Sequence, residues 1–178
     1  MELSGFKLLL GFAQVIMSNA QEGDKFFSPV FVKQDFGIDR SWELNLLAKG
    51  YSLYTGIGYY KLYRQSLAWG KAWAKCDSDG AHLLILNSES EVDAVKNLVT
   101  VNTTPSAFAF IIGFHDYFVE GTYLTVKGEH LWSTGYVKWG TGQPDNWKGE
   151  HCGAMRRDGT LADVACSSDM YFICEHEL

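Results

Sequence analysis

Residues 142–147 read Gly-Gln-Pro-Asp-Asn-Trp, residues 150–152 read Glu-His-Cys, residues 161–166 read Leu-Ala-Asp-Val-Ala-Cys, and residues 172–175 read Phe-Ile-Cys-Glu. Three of the chain's four cysteines alternate here with oxygen-bearing side chains. Those side chains are Gln143, Asp145, Glu150 and Asp163. Hard oxygen ligands on loops suit Ca²⁺ far better than Zn²⁺ or iron, which prefer nitrogen and sulfur. If the cysteines are bridged, the loops are pinned, so the stretch predicts a calcium site on a disulfide-bonded scaffold.

The composition is that of an ordered domain with a substantial core. A chain of 178 residues is long enough for one such domain. Aromatic residues make up 15% of it, and charged residues make up 20%, which is below the usual quarter. The net charge of −6 leaves no basic surface for nucleic acid, so a nucleic-acid partner is disfavoured.

The N-terminal segment has the features of a signal peptide. Residues 8–17 form an apolar run that is too short to cross a bilayer as a helix. Lys7 precedes the run, and residues 18–20 supply small residues at the positions that a signal peptidase recognises, although Glu2 weakens the charge bias. A buried first helix is the alternative, but the run has neither a cap nor a polar face. We therefore predict a signal peptide over residues 1–20 and a secreted product without membrane insertion.

The cysteines predict two disulfides, because a secretory route leads to an oxidising compartment. Four cysteines allow three pairings. Cys152 and Cys166 lie close in sequence across the candidate metal loops, which favours a local bridge and leaves Cys76 with Cys174. Neither a Cys-x-x-Cys pair nor a zinc-type Cys/His spacing occurs, so a zinc site is not expected.

Hydrophobic periodicity predicts helices early in the chain and short strands late, which indicates an α+β domain over residues 51–178. Ser66 is predicted to cap a helix that runs past Cys76, and a capping box from Ser88 to Glu91 is predicted to open a second helix. The aromatic segments 51–54 and 59–63 read as a hairpin. Further strands are predicted at residues 81–86, 108–114, 122–126, 129–132, 151–156 and 170–175.

Residues 21–50 form an N-terminal extension whose pattern fits a packing arm, an oligomerisation segment or a mobile tail equally well. Within it, residues 40–47 could form a short helix. Asn102 begins an Asn-Thr-Thr sequence, which is an acceptor for N-glycosylation in a secreted protein.

From about residue 51 to residue 178, the chain resembles a C-type lectin domain in the order and spacing of its motifs. The resemblance rests on Trp69 and Trp73 before Cys76, the strand at 110–114, Trp132, Trp139, and the motifs quoted at the start. It implies the family's fold: two helices packed on short antiparallel sheets, a long loop region and two disulfides, in the short form of the domain. Residues 113–121 and the glutamine-type motif look most like secreted insect haemolymph lectins that bind lipopolysaccharide.

The resemblance also implies a ligand set. In the family, Ca²⁺ is held by a Glu-Pro-Asn or Gln-Pro-Asp motif, a Glu before a cysteine and an Asn-Asp pair, and two vicinal sugar hydroxyls complete the ion's coordination. Carried over, these roles fall on Gln143, Asp145, Glu150 and Asp163, which would bind both the ion and the carbohydrate. Pro144 is expected to be cis. In the position of the family's Asn, this chain has Ala162, so one amide ligand is absent.

The Gln-Pro-Asp order implies galactose-type ligands, and Trp147 is predicted to stack on the sugar ring. An auxiliary calcium site of some relatives corresponds to Asp116, Glu120, Asn146 and His151, but only two of these are acidic. We therefore predict that Asp116 and Glu120 hold loops by hydrogen bonding instead. Trp69, Trp73, Trp132 and Trp139 are expected in the core.

Two other functional classes compete with a lectin. An enzyme could use Glu150, His151, Asp158 and Asp163, but no catalytic motif is present and His151 reads as a surface residue, so no catalytic residues are predicted. A calcium-independent protein-binding module on the same fold, such as a venom or immune-modulating factor, is the closer rival. The predicted partner is a galactose-like sugar or a bacterial surface glycan met in innate immunity, with homo- or hetero-oligomers providing multivalency.

Overall fold

The computed structural model describes residues 40–178, which form three α-helices and eight strands. The helices are α1 (Ser41–Ala48), α2 (Trp69–Ser78) and α3 (Glu89–Asn102). The strands are β1 (Ser52–Tyr54), β2 (Gly58–Leu67), β3 (His82–Leu83), β4 (Ala109–His115), β5 (Leu124–Thr125), β6 (Cys152–Arg156), β7 (Leu161–Val164) and β8 (Met170–Glu177). The predicted α+β class is confirmed, and so is the short helix in the extension. The predicted signal peptide and residues 21–39 lie outside the described residues.

The strands form one sheet in the order β1-β2-β8-β4-β6-β7, with β3 paired to β8 and β5 paired to β4. Most pairs are antiparallel, as predicted, but β4 and β8 pair in parallel, with Ile111 opposite Phe172. Both β4 and β8 are central because their middles are apolar on both faces: residues 109–114 and 172–174 are all buried. The predicted set of short antiparallel sheets is therefore a single mixed sheet.

Strand β2 and helix α2 meet at a different residue from the one predicted. The hairpin of β1 and β2 is confirmed. Ser66 is not a helix cap, because β2 continues to Leu67, where it pairs with Met170 of β8. Helix α2 starts at Trp69 without a side-chain cap. Its first N–H instead donates to the carbonyl of Cys166 at 3.1 Å, so a disulfide-bearing loop caps the helix.

Helix α3 begins with the predicted capping residue, although the box is not reciprocal. The Ser88 hydroxyl accepts from the Glu91 N–H at 3.3 Å. The Glu91 side chain turns inward, where it accepts from the N–H of Asn87 at 2.6 Å and from the hydroxyl of Tyr60 at 2.6 Å. Glu91 is fully buried, so the residue that was predicted to cap the helix also ties it to β2.

The later part of the domain contains one wrong prediction and one omission. Residues 131–133 form a 3₁₀-helix rather than a strand, and Ser133 returns two hydrogen bonds to the His130 carbonyl. Only an isolated bridge between Leu124 and His130 remains of the predicted pairing. Strand β7 was not predicted, yet it pairs with β6 over its whole length.

Both predicted disulfides are confirmed. Cys76 in α2 bridges Cys174 in β8, and Cys152 at the start of β6 bridges Cys166 beyond β7. The first bridge lies in a core cluster with Trp69, Leu83 and Phe172, while a second core cluster fills the space between α3 and the sheet.

Two of the four tryptophans expected in the core are not there. Trp69 is buried and Trp139 packs against the core, but Trp73 and Trp132 are 41% and 61% exposed. Helical spacing alone does not separate the buried Trp69 from the exposed Trp73, and Trp132 lies in a 3₁₀-helix where a strand was predicted. Within residues 40–178, no helix has the length and apolarity needed to cross a bilayer.

Candidate metal site

The loop that carries the Gln-Pro-Asp motif is anchored on β7 by hydrogen bonds to Asp163. The Gln143–Pro144 peptide is cis, as predicted. The Gln143 Oε1 atom accepts from the Asp163 N–H at 3.0 Å. In return, Asp163 Oδ1 accepts from the Asp145 N–H at 3.2 Å, and Oδ2 accepts from the Asn146 N–H at 2.7 Å. The loop and the strand therefore fix each other through side-chain to backbone hydrogen bonds.

Three carboxylates meet at this anchor. Asp145, Glu150 and Asp163 each place one oxygen so that the three atoms lie within 4.8 Å of one another. Asp163 is buried at 2% exposure, Glu150 is half-buried, and Asp145 is exposed. Gln143 is held next to the group, because its Oε1 accepts from the Asp163 N–H. Three of the predicted ligands are thus brought together as a cluster, and the fourth is hydrogen-bonded to it.

The cluster carries like charges without a basic partner. No salt bridge within residues 40–178 involves Asp145, Glu150 or Asp163. Burial raises the pKa of the Glu150 carboxyl above its ordinary value, and the charges of Asp163 and Asp145 raise it further. A divalent cation would relieve this repulsion, and the all-oxygen donor set fits Ca²⁺, which takes six to eight oxygens in irregular geometry.

A cavity of about 360 Å³ opens beside the carboxylates. Trp147 lies on its rim and is 62% exposed, with the Lys148 ammonium 4.0 Å from its ring centroid. Ala162 also lines the cavity and supplies no oxygen. Apolar residues of this cavity that were not predicted from the sequence include Phe108 and Met170. Phe108 was predicted as the first residue of a strand over residues 108–114, but it precedes β4 and is 72% exposed.

A second group of ionisable side chains consists of Asp116, Glu120 and His151. Asp116 is buried, and its Oδ2 accepts from the Gly121 N–H at 2.8 Å. The His151 Nδ1 lies 3.1 Å from Asp116 Oδ1 and 3.3 Å from Glu120 Oε2. The expectation of a loop held by hydrogen bonding is confirmed for Asp116, whereas Glu120 contacts His151. His151 is not a free surface residue, because only 33% of its side chain is exposed and it contacts both acids.

Two other residues singled out from the sequence, Asn102 and Asn146, belong to neither cluster of ionisable side chains. Asn102 ends α3 on the surface, and its Nδ2 donates to the Leu98 carbonyl at 2.8 Å. The Asn146 side chain has its Oδ1 atom buried without a hydrogen-bond partner, while its backbone N–H belongs to the anchor at Asp163.

Comparison with known proteins supplies the family. A model of the lectin C-type domain matches residues 65–176. A hemolymph lipopolysaccharide-binding protein from Periplaneta americana is 40% identical over 136 residues, which are 72% of this chain and 53% of that protein. Asialoglycoprotein receptor 2 of Mus musculus is 32% identical over 126 residues, covering 67% of this chain and 39% of the receptor. The chain thus spans about half, or less, of the length of these relatives.

The fold leads to the same family. The carbohydrate-recognition domain of the mouse scavenger receptor C-type lectin superposes with a TM-score of 0.62 at 26% identity, over 71% of this chain and 95% of that domain. The resemblance that the sequence motifs indicated is therefore confirmed at both levels.

Proposed function

The chain belongs to the C-type lectin domain family, and from that premise we propose that it is a calcium-dependent carbohydrate-binding lectin. The observation that supports this proposal is the cluster of three carboxylate oxygens within 4.8 Å, joined to Gln143 through Asp163. In the proposed complex, Gln143, Asp145, Glu150 and Asp163 hold the ion, and two hydroxyls of the sugar complete its coordination. The ionised carboxylates also accept hydrogen bonds from those hydroxyls, which selects the orientation of the diol.

A galactose-like sugar is the proposed ligand. The order of amide and carboxylate in Gln143-Pro144-Asp145 is the galactose-type order in the family. The exposed ring of Trp147 on the cavity rim supports this choice, because it offers an aromatic surface for the apolar face of the sugar.

The biological setting that we propose is recognition of microbial surface glycans or lipopolysaccharide by a secreted protein of innate immunity. The hemolymph relative supports this part of the proposal through its name and its 40% identity. Single sugar sites bind weakly, so oligomers would raise the avidity on a repetitive surface.

No enzymatic activity belongs to the proposal. Lectin domains of this family bind carbohydrates and do not transform them, in agreement with the expectation that the chain is not an enzyme. Asp158, one of the carboxylates considered for catalysis, is engaged in a turn, where its Oδ1 accepts from the Thr160 N–H and hydroxyl.

Substitution of Asp145 tests the proposal. Calorimetry should show Ca²⁺ uptake by the wild-type protein, and a glycan array should show galactose-type binding that is lost in a chelator. Asp145→Ala should abolish both signals, because it removes one of the three clustered carboxylates. Asp93→Ala is the matched control, since Asp93 is a 77% exposed carboxylate on α3. Absence of Ca²⁺ uptake at millimolar concentration would refute the proposal.

The alternative is a calcium-independent protein-binding module, and two observations favour it. Ala162 leaves the site with one oxygen donor fewer than the family pattern. A separate apolar cavity of about 310 Å³ is lined by Trp73, Tyr117 and Phe118, and the last two are 70% and 77% exposed. Under this alternative, partner binding persists in chelator and survives Asp145→Ala.

A further inference from the structure

Another cavity, of about 420 Å³, adjoins the one beside the carboxylates and is named the second cavity. It is lined by residues 106–109 and 168–171, together with Ser66 and Thr104. Phe108, Ala109, Ser168 and Met170 line both this cavity and the one beside the carboxylates. The two cavities therefore adjoin along these four residues, and the pair of cavities is named the groove.

The wall of the groove is held rigidly from behind. The Phe108 carbonyl accepts from the Arg157 N–H at 2.8 Å, and the Arg157 guanidinium donates to the Thr103 hydroxyl at 2.7 Å. The same guanidinium donates to the carbonyls of Thr104 and Ala107 at 3.1 and 3.2 Å. On the opposite side, Met170 belongs to β8 and pairs with Leu67. An exposed aromatic ring on such a fixed backbone loses little conformational entropy when it binds a ligand.

The chemistry of the second cavity favours sugar over an acyl chain. Its lining combines one exposed aromatic ring with the hydroxyls of Ser66, Thr104, Ser106 and Ser168 and the carboxylate of Asp169. An acyl chain would desolvate these polar groups without replacing their hydrogen bonds, which is unfavourable. A sugar ring presents an apolar face to an aromatic residue and hydroxyls at its edges, so it satisfies both parts of the lining.

We propose that this second cavity is a subsite for the sugar units that follow the one at the metal site, with Phe108 as the stacking surface. The assignment rests on the proposed function for the position of the terminal sugar. With this subsite, the ligand is an oligosaccharide rather than a terminal sugar alone, and the affinity depends on the number of sugar units.

The test compares methyl β-galactoside with a galactose-terminated tetrasaccharide, each titrated in Ca²⁺ by calorimetry. The wild-type protein should bind the tetrasaccharide more tightly. Phe108→Ala should weaken tetrasaccharide binding about five-fold, the size of one aromatic contact, and methyl β-galactoside binding by a smaller factor, because Phe108 also borders the cavity beside the carboxylates. Phe108→Trp should retain the tetrasaccharide. Phe118→Ala is the matched control, because Phe118 is 77% exposed outside the groove, and it should change neither affinity.

Different results would refute the subsite and the proposed calcium-dependent function. Equal wild-type affinity for the two sugars, or equal losses for both in Phe108→Ala, would overturn the subsite and leave the lectin function standing. Tetrasaccharide binding that persists in chelator, yet is lost in Phe108→Ala, would support the subsite and overturn the calcium site. Competition by a fatty acid, with sugar affinity intact in Phe108→Ala, would assign the groove to acyl chains and overturn the subsite.

Discussion

Asp163 is the residue on which the candidate site is built. Its carboxylate accepts hydrogen bonds from the N–H groups of Asp145 and Asn146, and its backbone N–H donates to Gln143, so one buried residue holds both ends of the motif. The sequence indicates Asp163 as a ligand because it stands where the family has the Asp of an Asn-Asp pair. It did not identify this second role, because hydrogen bonds between a loop and a strand seventeen or more residues away follow from the fold.

Ala162 is the position at which this site departs from the family pattern. It lines the cavity next to Asp163, so an amide at this position would add an oxygen to the ion's donors. Ala162→Asn should tighten Ca²⁺ binding about ten-fold, as measured by calorimetry. Ala162→Val adds bulk without oxygen and serves as the control. Equal affinities in Asn and Val variants would show that the missing amide does not limit ion binding.

At the scale of the elements, two buried carboxyls lie between α3 and β8: Glu91 belongs to α3 and Glu175 to β8. Glu175 is fully buried, with its Oε2 accepting from the Ile85 N–H at 2.9 Å and its Oε1 without a hydrogen-bond partner. Burial raises the pKa of Glu175 well above its ordinary value, and the charge of Glu91 raises it further. Glu91 keeps two donors of its own, from Tyr60 and Asn87, so the proton resides on Glu175.

This pair predicts a pH dependence of stability. Because the folded pKa of Glu175 lies above the unfolded value, the folded state holds a proton that the unfolded chain releases, and stability falls as pH rises through that interval. Glu175→Gln should therefore raise the free energy of unfolding at pH 7, with the gain shrinking as pH is lowered toward the ordinary Glu value of about 4.3.

Denaturant unfolding at several pH values measures this effect. Glu129→Gln is the control, because Glu129 is an exposed carboxylate, and its pH profile should follow that of the wild type. A gain for Glu175→Gln that does not vary with pH would contradict the assignment of the proton.

The helices and strands differ in how well the sequence predicts them. Helix α3 was predictable because Ser88, Val92, Val95 and Leu98 combine a cap with a helical period. Strand β7 was not, since Leu-Ala-Asp-Val is short and contains a candidate ligand, and it becomes a strand only through its pairing with β6. The prediction that Ser66 caps a helix was wrong for the same reason, because the pairing of β2 with β8 extends the strand to Leu67. Phe108 was missed because a strand pattern does not reveal where burial stops.

For the whole molecule, the two disulfides have unequal effects on stability. Cys76 and Cys174 close a loop with a sequence separation of 98, whereas Cys152 and Cys166 are separated by 14. Since the loss of unfolded-state entropy grows with loop length, replacing the first pair by alanine should cost roughly 4 to 5 kcal/mol and replacing the second about 3 kcal/mol.

Equilibrium unfolding of the two double variants, measured together with Ca²⁺ affinity, checks this order. The Cys152/Cys166 variant should lose more ion affinity than the Cys76/Cys174 variant, because its bridge joins the start of β6 to the segment after β7, where Asp163 lies. The opposite order of affinities would show that the core bridge, and not the local one, positions the ligands.

The hydrogen bonds between Asp163 and the motif loop have a consequence for timing. They are formed within the protein itself, so an arriving cation meets a cage that is already assembled and no search of the loop precedes capture. On the proposed function, the slow step of loading is then the shedding of the ion's own water. Mg²⁺ releases its water reluctantly and demands a near-ideal octahedron, so on the proposed function Mg²⁺ should bind this site more slowly and more weakly than Ca²⁺.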